Sequence, residues 1–570
     1  MKILGISCFY HDSAAALIDD GKIIAAAEEE RFSRIKHDSG FPVNAIKFCL
    51  EKAKIKGSDL NWVVFYEKPF LKFERITLSS LATVPYARET FINGYRVWLK
   101  DKLWIKSTIA KNVGIDNEKI LFTQHHISHA AVAYYTSPFK SAAILTCDGV
   151  GEWTTTSWGK GMRNKIILEK EIKFPHSLGL FYSTFTQFLG FQINEGEFKV
   201  MGLAPYGKPR FTEKVEKLVH QSSDGSFHLD LNYFNFHLSD RQSFGRKFID
   251  LFGVKPLDSK RSDEVIPIYA DIAASAQKVL DEKLLVIARN IKEKTREDNL
   301  CYAGGVALNG VTNWKIFKEA GFKNIFVHPA AGDSGGALGA ALYTYHHVFN
   351  KPRKNSFTTP YLGKENSEEE IKEFIETSGI KAKKYSDKEL VEKVSDMLYW
   401  KKVIGWVRGR FEWGPRALGA RSILADPRDK KMKDLVNAKI KFREAFRPFA
   451  PVCLYEDGDK YFDVGRGGKE QQPLQYMIAV VPVRKEWQSK LGAITHVDGT
   501  ARPQFIRREI NPMYYDVVKA FGKKAGINVL LNTSFNLKGQ PIVNTCEEAY
   551  DTFMKSGIDA LVLGNYLIVK

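Results

Sequence analysis

The chain lacks the features that mark membrane-spanning and secreted proteins. No run among its 570 residues approaches 18 consecutive apolar side chains, so the sequence predicts no membrane-spanning segment. His11 and Asp12 interrupt the apolar start, whereas a secretory signal would continue apolar toward a cleavage site. Only six cysteines are present, scattered and without a CxxC pair, which argues against a disulfide scaffold and a structural zinc site. We therefore expect a cytoplasmic protein with no membrane partner.

The length exceeds what one hydrophobic core supports and predicts two or three domains. The apolar content of 44% and the charged content of 26% are ordinary for a globular protein. A polar, proline-bearing stretch at 351–365 predicts a linker, and Ser367 is the expected N-cap of the next helix. The predicted domains are 1–350 and 366–570.

The net charge of +18 needs a physical explanation. Nucleic acid is one interpretation, and a solvated basic face is another. Arginine concentrates in "WVRGRFEWGPRALGARS" (406–422), where it alternates with glycine, tryptophan and proline. This rigid, turn-rich spacing favours a pocket for a small anion over a flexible nucleic-acid arm. The arginines of this region are Arg408, Arg410, Arg416, Arg421 and Arg428.

A pattern of one strand followed by a hairpin occurs twice. The first copy reads "KILGIS", "SAAALIDD" and "GKIIAAAEEE", and the second, from Ser141, reads "SAAILTCD", "GVGEWTTTSWG" and "KIILEKEIKF". Helical stretches follow each copy. Two such halves in one chain are typical of the actin-like ATPase fold, which holds a nucleotide between its halves. Two unrelated hairpins are the alternative.

Glycines mark the ends of three predicted strands. The segments are "CDGVG" (147–151), "CYAGGVALNG" (301–310) and "FVHPAAGDSGG" (326–336). Glycine lets the backbone approach a phosphate closely, and open α/β sheets bind ligands at the carboxyl ends of their strands. The predicted nucleotide-binding residues here are Asp148, Gly149, Gly151, Gly304, Gly305, Asn309, Gly332 and Asp333.

Three histidines fall within five residues of "TQHHISHAAVAYYTSPF" (123–139). On a helix His125 and His129 lie on one face and can bind one ion, whereas His126 points elsewhere. Asp148 and Asp333 offer carboxylate ligands, and the combination suits Fe(II), Mn or Zn. A surface pair or a polar helix start is the alternative.

Nine segments along the chain carry a family resemblance. They are "GISCFYHDSAAAL", "EEERFSRIKHD", "HHISHAAVAYYTSPF", "GEFKVMGLAPYG", "GGVALN", "GDSGGALGAAL", "GPRALGARSILADPRD", "REAFRPFAPV" and "NTSFNLKGQPIV". Together they resemble the O-carbamoyltransferases, a family that includes NodU and the enzymes acting on tobramycin, cephalosporins and novobiocin. The resemblance extends from Met1 to the C-terminus. The first two-thirds is also similar to enzymes that threonylcarbamoylate tRNA, and the last third resembles a YrdC-like domain.

The resemblance implies a duplicated actin-like α/β domain followed by an α/β YrdC-like domain. It implies that carbamoyl phosphate and ATP, with Mg, form carbamoyl adenylate in the C-terminal domain. The carbamoyl group then passes in the N-terminal domain to a hydroxyl of a sugar, an aminoglycoside or another small natural product. The family metal, thought to be iron, would be held by His125, His129, Asp148 and Asp333.

The resemblance also assigns the remaining site residues. Lys36 would contact the nucleotide. His11 and Asp12 would orient or deprotonate the acceptor hydroxyl, although a turn closed by the aspartate is nearly as good an interpretation. The carbamoyl phosphate site would comprise Arg416 as a catalytic group, with Lys441, Arg443, Arg447, His496, Arg502, Asn532 and Ser534.

Two other function classes are left open. A tRNA-threonylcarbamoylating enzyme would share the histidine pair and the basic charge, and a non-catalytic actin-like filament or chaperone would need neither histidines nor arginines. We expect no specific nucleic-acid partner, and a homodimer is left open. Aromatic residues between Leu71 and Gly114 could stack on an acceptor or form a core; they are Tyr86, Tyr95, Trp98 and Trp104.

Overall fold

The computed structural model describes residues 1–84, 86–99, 103–239, 241–354, 357–441, 444 and 446–570, and it divides into two compact units. Unit 1 comprises Met1–Glu29 and His37–Phe357, and unit 2 comprises Glu30–Lys36 and Thr358–Lys570. The chain leaves unit 1 inside the stretch predicted as a linker, of which residues 355 and 356 lie outside the described residues. The predicted first domain was continuous, whereas the structure assigns Glu30–Lys36 to unit 2.

The first half of unit 1 is built on a five-stranded sheet with the order β3-β2-β1-β4-β5. The first three strands run antiparallel, and β4 and β5 run parallel to β1. The apolar runs are buried along most of their length, as expected for strands covered on both faces. The strands are β1 (Lys2–Ser7), β2 (Ala14–Asp19), β3 (Lys22–Glu28), β4 (Trp62–Phe65) and β5 (Ile120–Phe122).

The second half repeats this topology with the order β8-β7-β6-β11-β12. Again the first three strands are antiparallel and the last two are parallel to the first. The predicted duplication is therefore confirmed, and unit 1 has the actin-like α/β fold. The strands are β6 (Ser141–Cys147), β7 (Thr154–Met162), β8 (Lys165–Lys173), β11 (Asn299–Ala303) and β12 (Asn324–Val327), with β9 (Val219–Gln221) and β10 (Phe227–Leu229) forming a separate hairpin.

Helices of unit 1 surround these two sheets. The longest is α11 (Pro267–Thr295), and no helix among the described residues has the length and apolar character needed to cross a membrane. The others are α2 (Val43–Ala53), α3 (Pro69–Ala82), α4 (Arg88–Val97), α5 (Ile105–Val113), α6 (His125–Thr136), α7 (Leu178–Phe188), α8 (Glu197–Leu203), α9 (Thr212–Glu216), α10 (Arg246–Phe252), α12 (Gly310–Glu319) and α13 (Asp333–Tyr343).

Helices α6 and α13 occupy equivalent places, because each follows the last strand of its half. Glycine permits their close approach: a Cβ added to Gly339 in α13 would lie 1.9 Å from the backbone oxygen of Ser128 in α6. A Cβ added to Gly5 in β1 would lie 1.8 Å from the backbone oxygen of Ala337. Side chains at the start of α6 and α13 are thereby brought together.

The helical segment after β4 has its own small aromatic core. Trp98 stacks on Phe73 with ring centroids 4.0 Å apart, and Tyr95 contacts the same ring. Tyr86 and Trp104 are exposed, at 80% and 59%. Of the four aromatics considered for acceptor stacking, Tyr86 and Trp104 are the exposed ones.

Unit 2 is an α/β unit with an eight-stranded mixed sheet of order β13-β22-β21-β14-β15-β20-β16-β19. The strands of the sheet are β13 (Lys383–Lys384), β14 (Ile404–Val407), β15 (Arg421–Ala425), β16 (Ala450–Leu454), β19 (Gln504–Ile506), β20 (Val529–Ser534), β21 (Ala560–Leu563) and β22 (Tyr566–Val569), while β17 (Val481–Pro482) and β18 (Thr500–Ala501) pair separately.

The helices of unit 2 include the predicted one after the linker. Ser367 caps it as expected, and Glu370 completes a capping box. The YrdC-like character of unit 2 stays a prediction. The helices are α1 (Glu30–Ser33), α14 (Glu368–Thr377), α15 (Asp387–Tyr399), α16 (Lys431–Val436), α17 (Gly458–Tyr461), α18 (Lys485–Gln488), α19 (Pro512–Ala525) and α20 (Cys546–Met554).

Two arginines attach Glu30–Lys36 to the rest of unit 2. Arg31 donates to the backbone oxygen of Gly414 at 3.1 Å. Arg34 donates to the backbone oxygens of Ile542 and Pro541 and also pairs with Glu548. Sequence alone did not predict this attachment, because the partners are almost 400 residues or more away.

Candidate active sites

Four side chains meet inside unit 1, namely His125, His129, Asp148 and Asp333. The Nε2 atoms of the two histidines are 3.0 Å apart. Asp148 Oδ2 lies 2.9 Å from His125 Nε2 and 3.5 Å from His129 Nε2. Asp333 Oδ1 lies 3.5 Å from each of the same two nitrogens. We call this group the His–Asp cluster.

Local structure fixes each carboxylate of the His–Asp cluster. Asp148 follows β6, and the backbone N–H of Gly305 donates to its Oδ1 at 2.8 Å, which leaves Oδ2 toward the histidines. Gly304 makes this approach possible with φ of 95°, since a Cβ there would lie 2.2 Å from the backbone oxygen of Cys147. Asp333 is the first residue of α13, where the helix dipole stabilises a negative charge.

The donor set of the His–Asp cluster fits a metal ion. Neither oxygen of the buried Asp333 accepts a hydrogen bond from the residues that the structure describes. An unpaired buried carboxylate is costly unless a cation compensates it. A tetrahedral ion with bonds of about 2.1 Å places its donors about 3.4 Å apart, close to the separations seen here. Two imidazoles and two carboxylates suit Fe(II), Mn(II) or Zn(II).

The electrostatics of the cluster favour positive charge. Burial lowers the pKa of His129, but Asp148 and Asp333 outweigh it and raise this pKa to about 9. Burial opposes ionisation of Asp148, yet hydrogen bonds from His125 and His129 hold its pKa well below the ordinary value. A metal ion would therefore displace a proton from the histidines when it binds.

His126 has a structural environment. Its Nδ1 lies 2.7 Å from Thr146 Oγ1, and burial together with the neighbouring histidines holds its pKa well below the ordinary value. A neutral, buried imidazole on that side of α6 packs against β6 and does not join the His–Asp cluster.

A turn after β1 presents Tyr10 and His11 beside the cluster. His11 Nε2 lies 3.8 Å from Asp333 Oδ2, and its Nδ1 lies 3.0 Å from Asp12. Asp12 also contacts His37 Nδ1 at 2.7 Å. Burial lowers the pKa of His11, but Asp333 and Asp12 raise it to about 10. Phe9 and Asp12 adopt left-handed φ angles of 69° and 52°, a strained geometry typical of functional turns.

The residues predicted to bind nucleotide fall into four groups. Gly304, Gly305 and Gly332 lie at strand ends near Asp148 and Asp333, as the pattern required. Gly149 and Gly151 form the turn after Asp148, and a Cβ on Gly151 would lie 3.0 Å from that of His125. Asn309 caps α12 through the amides of Val311 and Thr312. Lys36 lies in the segment that belongs to unit 2.

Three arginines converge in unit 2. Burial and the neighbouring charges of Arg502 and Arg447 hold the pKa of Arg416 well below its ordinary value. Burial and Arg447 lower the pKa of Arg502 to about 10. Arg447 pairs with Glu444 at 3.2 Å, but the Nε atoms of Arg416 and Arg502 find no acceptor among the described residues. We call Arg416, Arg447 and Arg502 the arginine cluster; its combined positive charge suits a bound anion.

Two other predicted residues, Asn532 and His496, contact the chain neighbours of Arg416 and Arg447, and Lys441 holds a turn. Asn532 donates to the backbone oxygen of Ala417, and its buried Oδ1 has no partner in the described part of the chain. His496 Nε2 lies 3.3 Å from the backbone oxygen of Phe446. Lys441 donates to the backbone oxygens of Ser534 and Asn536, so it holds that turn. Arg443 lies outside the described residues.

The remaining arginines of the basic segment have structural partners. Arg408 binds Asp387 and Arg428 binds Asp426. Arg410 donates to the backbone oxygens of Leu362 and Gly363, and the fully buried Arg421 donates to those of Gly409 and Ala420. Of these five arginines, Arg416 faces the other two members of the arginine cluster.

Sequence reasoning missed two buried glutamates that organise these sites. Glu412 accepts hydrogen bonds from the amides of Leu418 and Ala420 and thereby shapes the turn that carries Arg416. Glu152 accepts from the amide of His125 at 3.0 Å. Both letters stand inside the motifs, as "FEWGPR" and "DGVGE", but the amides they meet could not be identified without the fold.

Comparison with known proteins identifies the family. The protein-family model described as "Carbamoyltransferase N-terminus" matches residues 2–342. The family model described as "Carbamoyltransferase C-terminus" matches residues 395–570.

Three relatives extend this match. An uncharacterized protein of Synechocystis sp. is 43% identical over 100% of this chain and 96% of its own length. The nodulation protein NolNO of Sinorhizobium fredii is 37% identical over 99% of this chain and 79% of its own. The 3'-hydroxymethylcephem-O-carbamoyltransferase of Amycolatopsis lactamdurans is 33% identical over 51% of this chain and 52% of its own. The chain is therefore a carbamoyltransferase and belongs to the NodU-like O-carbamoyltransferase family.

Proposed function

We propose that this carbamoyltransferase works in two steps at two sites. In unit 2, carbamoyl phosphate, water and ATP give carbamoyl adenylate, phosphate and pyrophosphate. In unit 1, a hydroxyl of a small acceptor takes the carbamoyl group, and AMP leaves. The observation that carries the proposal is the arginine cluster, in which the buried Nε atoms of Arg416 and Arg502 have no acceptor among the described residues, in a chain that also has the His–Asp cluster.

The arginine cluster suits the first step because carbamoyl phosphate is a small dianion. Planar guanidinium groups bind phosphate oxygens bidentately, and a bound anion favours their charged form. Asn532 Oδ1 offers an acceptor for the carbamoyl amide. Water releases phosphate to leave carbamate, whose oxygen attacks the α-phosphorus of ATP, supplied with Mg, so that pyrophosphate departs.

His11 suits the second step. With Nδ1–H donating to Asp12, and once Asp333 is neutralised so that it no longer raises the pKa of His11, Nε2 would carry the lone pair that accepts the proton of the acceptor hydroxyl. The hydroxyl oxygen attacks the carbamoyl carbon, and the bond to the adenylate oxygen breaks. Asp12 keeps the imidazole in this orientation, and His37 holds Asp12 from the other side.

The metal held by His125, His129, Asp148 and Asp333 would supply Lewis-acid stabilisation of developing charge and neutralise Asp333, which otherwise raises the pKa of His11. Fe(II) is the proposed ion, with Mn or Zn as alternatives. Metal analysis of protein purified without added metal distinguishes these ions.

The acceptor is proposed to be a small hydroxylated molecule such as a sugar, an aminoglycoside or another natural product. One relative is named for carbamoylation of a hydroxymethylcephem, which supports a hydroxyl acceptor. Tyr86 and Trp104 offer free aromatic faces in unit 1. Mass spectrometry of products from a hydroxylated metabolite library would identify the acceptor.

The test separates the two half-reactions. Arg416→Ala should abolish carbamoyl-phosphate-dependent exchange between ATP and labelled pyrophosphate while leaving transfer from supplied carbamoyl adenylate intact. Arg408→Ala, which removes an arginine bound to Asp387, is the matched control and should keep exchange. If a folded Arg416→Ala variant kept exchange, the arginine cluster would not be the carbamoyl phosphate site.

The tRNA-threonylcarbamoylating function is the alternative, and the basic charge favours it. We propose instead that nucleic acid binds weakly and that binding vanishes at moderate salt, as nonspecific phosphate contacts do. Tight, salt-resistant and selective tRNA binding would reverse this choice. Dependence of pyrophosphate exchange on carbamoyl phosphate would exclude a filament or chaperone role.

A further inference from the structure

The turn after Asp148 contains a buried carboxylate that joins two helices. Glu152 lies between β6 and β7 and is 5% exposed. Its Oε1 accepts from the backbone N–H of His125 at 3.0 Å and from that of Lys68 at 2.8 Å. Its Oε2 also accepts from His125 N–H, at 3.2 Å.

Both of these amides lie at helix N-termini that lack a cap of their own. His125 is the first residue of α6, and its N-cap, Gln124, makes no capping hydrogen bond through its side chain. Lys68 precedes α3 and likewise makes none. The first N–H groups of a helix need external acceptors, and an anion there also meets the positive end of the helix dipole. Glu152 supplies the acceptor for both helices.

Other contacts make the same turn rigid on both sides. Arg75 in α3 donates to the backbone oxygen of Gly151 at 3.1 Å. A Cβ on Gly151 would lie 3.0 Å from that of His125, so the turn lies directly against this histidine. A displacement of the turn would therefore move His125 and α3 together.

Helix α3 also reaches the turn that carries His11. Lys72 Nζ lies 5.1 Å above the ring of Tyr10, and Tyr10 lies 4.6 Å from the ring of His11. Lys72 itself is held by the buried Glu67 at 2.7 Å. Helix α3 thus borders the residues proposed to act on the acceptor, while its first turn shares a carboxylate with the helix of His125 and His129.

We propose that Glu152 is a positioning residue that sets the place of His125 relative to Asp148 and fixes α3 beside the same site. The predicted change in metal Kd rests on the proposed metal site. The predicted hydrogen bonds of Glu152 to the two helix starts do not depend on that site. Glu152 contacts neither acceptor nor nucleotide in this role. Because one carboxylate holds the starts of both α6 and α3, its loss should change the metal affinity and the position of α3 beside His11 together.

The experiment compares Glu152→Ala and Glu152→Gln in the full chain. Glutamine keeps an oxygen at the Oε1 position, which serves both amides, whereas alanine leaves both without an acceptor. Glu169→Ala removes an exposed carboxylate from β8 of the same sheet and is the matched control. Hydrogen exchange by mass spectrometry follows peptides containing His125 and Lys68, and competition with a chelator gives the metal Kd.

In metal-free protein, Glu152→Ala should raise exchange at both helix starts by at least about tenfold, while Glu152→Gln and Glu169→Ala stay close to wild type. The Kd for metal should rise about 10–100-fold in Glu152→Ala, as it does when a group that orients a ligand is lost. Recovery of both properties in Glu152→Gln would support positioning through hydrogen bonds.

Three results would overturn the proposal. One is unchanged exchange at both helix starts in a folded Glu152→Ala protein. Another is a Glu152→Gln variant as impaired as Glu152→Ala, since hydrogen-bond geometry would then not be the cause. The third is increased exchange with an unchanged metal Kd, which would separate Glu152 from the site. If the wild-type protein bound no metal, the proposed metal site would be wrong. Hydrogen exchange at the two helix starts would still show whether Glu152 caps them.

Discussion

Gly339 in α13 offers the sharpest test of how the His–Asp cluster is assembled. Its position has no room for a side chain, because an added Cβ would lie 1.9 Å from the backbone oxygen of Ser128, 2.8 Å from its carbonyl carbon and 3.1 Å from Val132 N. All three atoms belong to the backbone of α6, which cannot rotate away as a flexible side chain would. In Gly339→Ala, α6 and α13 must therefore separate.

The size of the separation follows from contact distances. Since real Cβ atoms essentially never approach closer than 3.0 Å, the helices must move apart by about 1 Å. Overpacking of this kind costs about 1–3 kcal/mol, which a folded domain can tolerate. Metal–ligand distances tolerate only about 0.2 Å. Because His125 and His129 lie on α6 and Asp333 on α13, we expect the metal Kd to rise about 100-fold or more.

Chelator competition and metal analysis of purified Gly339→Ala protein would measure this change. Ala340→Gly is the control, because it costs about 1 kcal/mol of helix stability and adds no atom between the helices. It should keep its metal. A folded Gly339→Ala protein with the wild-type Kd would refute the reasoning, since close helix packing would then not determine the ligand positions.

Three further predictions test the sites and the core. His129→Ala should lose metal and acceptor carbamoylation, whereas His126→Asn, which keeps a polar atom near Thr146, should retain metal by elemental analysis. Glu412→Ala should lose about 2 kcal/mol or more of stability and weaken carbamoyl phosphate binding, because the amides of Leu418 and Ala420 lose their acceptor. Glu412→Gln should recover most of the stability in calorimetry and most of the carbamoyl phosphate binding in exchange assays. Burial raises the pKa of Asp281 from 3.8 to about 6, against hydrogen bonds from Thr312 and Gln277. The folded state therefore holds this proton more tightly, and the free energy of unfolding should fall by about 3 kcal/mol as the pH rises from about 4 to 6. Asp281→Asn should remove that slope and raise the thermal midpoint at pH 7; an unchanged slope would contradict the assignment to Asp281.

The sequence predicted the elements that local pattern determines. The two hairpin repeats were recognisable because each strand is an apolar run bounded by turn residues, and the structure has them as β1–β3 and β6–β8. His125 and His129 were predicted to share a helix face, and they do. The spacing of a short motif is enough for such inferences, since neighbours on a helix are fixed by its period.

Long-range partners could not be predicted in the same way. Arg416 and Arg421 stand five residues apart in one glycine-rich segment, yet the first faces Arg502 and Arg447 while the second serves backbone oxygens. Nothing local distinguishes them. In the sequence Arg31 likewise looks like part of a charged helix start. The structure is needed to show that it donates a hydrogen bond to the backbone oxygen of Gly414 in unit 2. Contacts between distant backbone atoms depend on sheet order, which residue spacing does not encode.

The duplication itself explains the composition of the His–Asp cluster. His125 and Asp333 are the first residues of α6 and α13, the equivalent helices of the two halves, so the duplicated fold brings two helix N-termini together. Each N-terminus carries about half a positive charge, which alone would repel a cation. Asp148, Asp333 and Glu152 bring three carboxylates to these two N-termini. Once the histidines have lost their protons, about three negative charges against about one positive charge leave a net charge near −2, which a divalent ion can neutralise.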